Sequence, residues 1–106
     1  MIVVNRFRVP APEQERFRAD LHAAAAALAQ RPGFTRSRMG RNTDDPELWL
    51  LTTEWESVGV YRRALSAYDV KLTAVPVLSR AMDEPSAYEP AEPEADLNVA
   101  STRSLG

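Results

Sequence analysis

Trp55 and Tyr61 are the residues best suited to chemistry, one closing the apolar run Leu48-Trp49-Leu50-Leu51-Thr52-Thr53-Glu54-Trp55 and the other six residues on. An indole at the end of a strand, with a phenol on the first turn of the helix that follows, gives a small pocket an aromatic wall and a hydroxyl. Asn5 is the third candidate, because it interrupts the apolar alternation Val3, Phe7, Val9. Burying an amide costs roughly 1–3 kcal/mol unless it is paired. Asn5 therefore either donates to a ligand carbonyl or bonds a neighbouring loop. Trp55 and Tyr61 have the same two readings: pocket wall and hydroxyl donor, or packed rings with a wet hydroxyl. Phe7, Leu21, Leu51 and Thr53 are the expected lining of a pocket around them.

The remaining polar residues are weaker candidates. His22, the single histidine, stands one position beyond the Phe17–Leu21–Leu28 stripe and has no second ligand nearby, so it reads as a surface or boundary residue. Arg36 and Arg38 share a strand face, as do Arg6 and Arg8. They could hold an anion, but ion pairs with Glu47, Glu54 or Glu56 explain them as well. Asp44-Asp45 belongs to a turn, and two carboxylates without a third ligand make a poor metal site. Cysteine is absent, which removes disulfides, thiolate metal sites and a cysteine nucleophile together. No metal and no cofactor is expected.

The elements that must position these side chains follow from periodicity. Ile2 to Val9 alternates as a strand, with Val3, Asn5, Phe7 and Val9 on one face and Ile2, Val4, Arg6 and Arg8 on the other. Pro10 and Pro12 stop it, and Phe17, Leu21, Ala24, Ala25 and Leu28 recur at helical spacing through an alanine run, placing a helix over residues 12 to 30. Arg31-Pro32-Gly33 ends that helix. Phe34 to Arg41 and Leu48 to Trp55 form a hairpin around the turn Asn42-Thr43-Asp44-Asp45-Pro46. Ser57 can cap a helix over residues 58 to 66. Asp69 to Met82 reads as a further helical stretch interrupted at Pro76, and Ser86 to Glu89 as a short last strand.

The order β-α-β-β-α-β implies an α+β fold, a ferredoxin-like antiparallel sheet with helices on one face. The bare face, carrying Ile2 and Val4, calls for a second copy to cover it, so a homodimer is expected. At 106 residues, with 44% hydrophobic residues and a formal net charge of −2, one soluble domain is expected, without the basic excess of a nucleic-acid binder. No run approaches membrane-spanning length and the start MIVVNRFRV lacks signal-peptide character, so a cytoplasmic protein is expected. Residues 1 to 89 form the domain. Residues 90 to 106 turn to Pro, Glu, Ala, Asp, Ser and Thr, and read as a disordered tail or an arm embracing a partner.

Asn5-Arg6-Phe7, Arg31-Pro32-Gly33-Phe34, Asp44-Asp45-Pro46, Thr53-Glu54-Trp55-Glu56-Ser57 and Tyr61, in this order and spacing, resemble the antibiotic biosynthesis monooxygenase family. The resemblance covers residues 1 to about 89. It implies a dimeric α+β barrel with a pocket in each subunit between sheet and helices. Some members oxidise polycyclic phenols to quinones with O2 and neither metal nor flavin; others degrade haem. In the haem-degrading branch a Trp and a His iron ligand would fall at Ala64 and Ala74, so that activity is rejected. In the phenol-oxidising branch the pocket Trp corresponds to Trp55 and the Tyr to Tyr61, while an Asn four residues before the Trp is replaced by Leu51. The resemblance thus implies a small cofactor-independent oxygenase for an electron-rich aromatic of hydroquinone or anthrone type. A non-catalytic dimeric module for a small aromatic or hydrophobic molecule is the alternative.

Overall fold

A computed structural model describes residues 1–98. Four strands, β1 (Ile2–Arg8), β2 (Phe34–Arg41), β3 (Leu48–Trp55) and β4 (Ala87–Tyr88), form one antiparallel sheet in the order β2-β3-β1-β4. A 3-10 turn at Ala11–Glu13 leads into α1 (Gln14–Ala29), and α2 (Val58–Leu65), α3 (Tyr68–Thr73) and α4 (Val75–Leu78) follow β3. The helix expected from residue 12 therefore starts as a 3-10 turn, closed by Glu13 N donating to Pro10 O at 2.9 Å.

The stretch expected from Asp69 to Met82 is two short helices. They divide at Ala74, two residues before the proline that prompted the expectation. Pro76 sits in the first turn of α4, where a missing N–H removes no intrahelical bond. Ser57 caps α2 as its position implies, its Oγ accepting from Val60 N at 3.2 Å. The last strand is only two residues long, but the chain before it already follows β1, with Val4 N donating to Ser86 O and Met82 N to Arg6 O, both at 2.7 Å.

Register decides which side chains share a face. Val3, Asn5 and Phe7 of β1 lie opposite Thr53, Leu51 and Trp49 of β3. Phe34, Ser37, Met39 and Arg41 of β2 lie opposite Trp55, Thr53, Leu51 and Trp49, with a bulge between Phe34 and Arg36. Burial alternates strictly along β3, so Trp49, Leu51, Thr53 and Trp55 are buried beneath the helices. The core there is completed by Phe17, Leu21 and Leu28 of α1, Ala64 of α2, Val70 of α3 and Val77 of α4. Ile2, Val4, Leu48, Leu50 and Thr52 sit at the alternate positions, half-buried on the side without helices.

Gly33 joins α1 to β2 at φ +88°, a conformation that side chains other than glycine rarely adopt. A Cβ placed there would lie 2.4 Å from Val60 Cγ2, so the turn can approach α2 only because position 33 carries no side chain. The Gly33 carbonyl also accepts from Glu56 N at 2.8 Å, tying this turn to the residue after Trp55.

Candidate functional site

Trp55 occupies the last position of β3 and is 2% exposed. Phe34 meets it edge-on, with ring centroids 5.3 Å apart and an interplanar angle of 86°. Tyr61 lies against it at 5.4 Å and 54°. The indole N–H is satisfied internally, donating to Thr53 Oγ1 at 2.8 Å. Backbone bonds fix the strand end, since Met1 N donates to Trp55 O and Trp55 N to Met1 O, each at 2.9 Å.

Tyr61 follows from the helix start. Capping by Ser57 begins α2 three residues after Trp55, and the first turn then carries Tyr61 back over the indole. Its ring is half-buried, and among the described residues its hydroxyl has no hydrogen-bond partner. Burial pushes its pKa above the ordinary tyrosine value, because the phenolate would lose hydration. The hydroxyl therefore stays protonated at neutral pH and can act as a donor.

Asn5 is on the helix-facing side, half-buried, and its amide bonds no other described residue. It stands level with Leu51, four residues up the strand from Trp55, a separation of ~13 Å at the rise of an extended chain. Asn5 and the Trp55–Tyr61 pair therefore share a face without touching the same point. Phe7, Leu21 and Leu51 are at most 1% exposed and Thr53 is 2% exposed, so all four are packed core in this structure. Thr53 has a specific task there as the acceptor for Trp55. Phe34 completes the aromatic cluster, and Ser37 and Met39 lie half-buried on the same sheet face. Sequence reasoning left out these three residues, whose only signal is the β2–β3 register.

The other candidates lie elsewhere. His22 is exposed on α1. Arg36 pairs with Glu54 at 2.8 Å, as cross-strand charge matching implies, whereas Arg6 is held by Glu84 through two bonds of 2.7 Å and Arg8 by Asp45 at 3.0 Å. The Arg6 guanidinium holds the Glu84 carboxyl below its usual range. Asp45 is lowered by the backbone N–H of Glu47 and then by Arg8, which makes it a turn residue. Ala64 and Ala74 are both buried. Among the described residues no group of three His, Cys, Asp or Glu is placed to hold a metal ion. No described helix is long and apolar enough to cross a membrane.

With this geometry the profile of the antibiotic biosynthesis monooxygenase family matches residues 1–73, a stretch holding the first three strands, Trp55 and Tyr61. The chain belongs to that family. Solved structures agree with the fold. SnoaB from Streptomyces nogalater, described as a cofactor-independent oxygenase, is 26% identical with a TM-score of 0.66, covering 88% of this chain and 96% of its own. A Deinococcus radiodurans protein assigned to antibiotic biosynthesis monooxygenases has a TM-score of 0.70 at 20% identity, covering 92% of this chain and 100% of its own. A Methanosarcina mazei conserved protein has a TM-score of 0.66 at 17% identity, covering 81% of this chain and 84% of its own. No curated protein matches the chain significantly.

Proposed function

We propose that this family member is a cofactor-independent monooxygenase, homodimeric and cytoplasmic, that oxidises an electron-rich aromatic of hydroquinone or anthrone type to a quinone with O2. The observation that carries the reading is the Trp55–Tyr61 pair: a buried indole against a phenol whose hydroxyl is protonated and unbonded. SnoaB, at 26% identity, is an oxygenase described as needing no cofactor, which supports the reaction class.

The chemistry asks little of the protein. An anthrone anion transfers an electron to O2, the radical pair combines to a hydroperoxide, and loss of water leaves the carbonyl. One oxygen atom ends in the quinone and the other in water, with the substrate as sole reductant. The protein must orient the ring, exclude water and stabilise the anion. Trp55 would form the wall of the site and Tyr61 would donate to the peroxide oxygen. Asn5, on the same face but farther up the strand, would hold an oxygen at the far end of a fused-ring substrate. Phe7, Leu21, Leu51 and Thr53 would contact the rings once the core parts to admit them.

A second reading is favoured by Leu51, an apolar and fully buried residue where the oxidising branch carries an amide. On that reading the chain is a dimeric module that binds a small hydrophobic molecule without turning it over. Oxygen uptake by purified, metal-stripped protein with hydroquinones, anthrones and naphthols separates the two. Uptake above the autoxidation blank, with quinone formed, is the expected result. Ligand-induced quenching of tryptophan fluorescence without uptake across the panel would move the chain to the binding reading.

A further inference from the structure

Two side-chain donors are fully buried without a partner among the described residues, the indole N–H of Trp49 and Nε of Arg31. Arg31 is the more costly of the two, because its unpaired N–H belongs to a cation. Its guanidinium makes no hydrogen bond to any described residue. It has one ion pair among them, with Asp69 at the start of α3, and there Nη1 stands 4.0 Å from Oδ1, too far for a hydrogen bond. That pair leaves the other edge of the guanidinium, Nε with Nη2, unused. Arg6 shows what this edge does when an anion is present. Its Nε and Nη2 take the two carboxylate oxygens of Glu84, each at 2.7 Å.

The turn that carries Arg31 also builds the aromatic cluster. Arg31 O accepts from Phe34 N at 3.3 Å, the Phe34 ring meets Trp55 edge-on, and Gly33 lies against Val60, the residue before Tyr61. The Arg31 side chain is 34% exposed, so solvent reaches the group although Nε is covered. The other cations on these elements are placed differently. Arg36 of β2 is held by Glu54, and Arg62 and Arg63 of α2 are exposed. Arg31 is thus the one cation at this end of the core that keeps a covered donor free among the described residues.

The oxidation proposed above starts from a substrate anion, and neither Tyr61 nor Asn5 carries a charge to match it. We propose that the Nε–Nη2 edge of Arg31 binds the oxyanion of the aromatic substrate, taking two oxygens borne side by side on one edge of the fused rings. The proton lost from the substrate goes to bulk water, and the guanidinium favours that loss by meeting the charge directly. The assignment rests on the reading of Trp55 and Tyr61 as the ligand site. It also sets specificity: an anthrone with a hydroxyl beside its carbonyl fills both prongs of the fork, whereas unsubstituted anthrone fills one.

Ligand binding without oxygen tests this independently of turnover. Dithranol, an anthrone with a hydroxyl on each side of its carbonyl, and unsubstituted anthrone are titrated anaerobically at neutral pH into wild type, Arg31→Gln and Arg31→Lys. Binding is read from tryptophan fluorescence and the anion from its visible absorbance. Wild type is expected to hold dithranol as the anion. Arg31→Gln should lower the bound anion about tenfold, the change expected for loss of a charge-assisted hydrogen bond. Arg31→Lys should restore part of it, since an ammonium supplies charge without the fork. Unsubstituted anthrone should separate wild type from Arg31→Gln less than dithranol does. Equal anion binding by wild type and Arg31→Gln would overturn the role of Arg31 and leave the Trp55–Tyr61 site standing. So would binding of dithranol by wild type as the neutral phenol. Failure of wild type to bind either compound would remove that site and the proposal with it. Asp69→Asn decides the matter if Arg31→Gln does not fold. Relieved of the carboxylate, Arg31 should hold the anion at least as well as in wild type, and loss of anion binding in Asp69→Asn would make the pair a structural tie only.

Discussion

Trp49 and Trp55 leave β3 on the same face, yet Trp49 keeps its indole N–H buried and unbonded while Trp55 donates at 2.8 Å to Thr53. Around Trp49 the aromatic faces are occupied. Phe17 meets it edge-on at 5.8 Å, and the guanidiniums of Arg18 and Arg41 lie 5.8 and 5.9 Å from its ring centroid. Gln14 locks this end by bonding Arg41 and the carbonyls of Val9 and Pro46. Around Trp55 the indole is fully satisfied, and the unbonded polar groups are the Tyr61 hydroxyl and, farther along the face, the Asn5 amide. Neither of those is among the fully buried unpartnered atoms. An orphaned donor sealed inside a cation-flanked plug can do nothing for a ligand. Orphaned donors that water can reach can exchange it for one. The contrast supports the proposal of a reactive site at the Trp55 end, with the Trp49 end as closure.

The largest expected effect lies at the closed end. Trp49→Ala should lower stability by about 3–5 kcal/mol in denaturant unfolding. Trp49→Phe should cost much less, because the lost N–H has no acceptor. A large penalty for Trp49→Phe would show that the N–H is bonded in solution and would erase the contrast. At the other end, Tyr61→Phe should leave the unfolding midpoint nearly unchanged while reducing quinone formation about 100-fold, the lower range for loss of a positioned proton donor. Equal oxidation rates for wild type and Tyr61→Phe would remove the hydroxyl from the reaction.

Thr53→Val keeps the side-chain shape and strips the acceptor from the Trp55 indole, so a stability loss of about 1–3 kcal/mol is expected from the buried donor left behind. Of these effects the alkaline titration of Tyr61 is expected to be the smallest. With the folded pKa raised, its contribution to stability is complete below the unfolded value of about 10 and is lost as pH rises through the folded one. Unfolding curves at high pH should fall less steeply for Tyr61→Phe than for wild type.

Local pattern carried much of this into the sequence. Strict alternation from Leu48 to Trp55 fixed a strand and its buried face, the serine before α2 marked the cap, and opposite charges at Arg36 and Glu54 met across the hairpin. What local pattern could not hold is the long-range part. Arg6 finds Glu84 rather than the three glutamates that a reading confined to the hairpin would choose, because the chain after α4 runs back along β1. The break at Ala74 was hidden by a proline that is harmless in the turn it occupies. At the candidate site, Trp55 and Tyr61 were legible because one capped helix start joins them. Phe34 was not, since only cross-strand register brings it to the indole, and the distance between Asn5 and Trp55 likewise depends on that register.

Gly33 and Val60 bear on any attempt to reshape the pocket by mutation. Position 60 precedes Tyr61 and is a natural choice for a randomised library, but its methyl groups occupy the space that a side chain at position 33 would need. Trimming Val60 would open that space without changing the positive φ, so position 33 should remain glycine in nearly every surviving clone, while position 60 accepts smaller residues. Diversity is better placed at Ser37 and Met39, where the strand offers half-open positions on the same face and no backbone turn hangs on the choice.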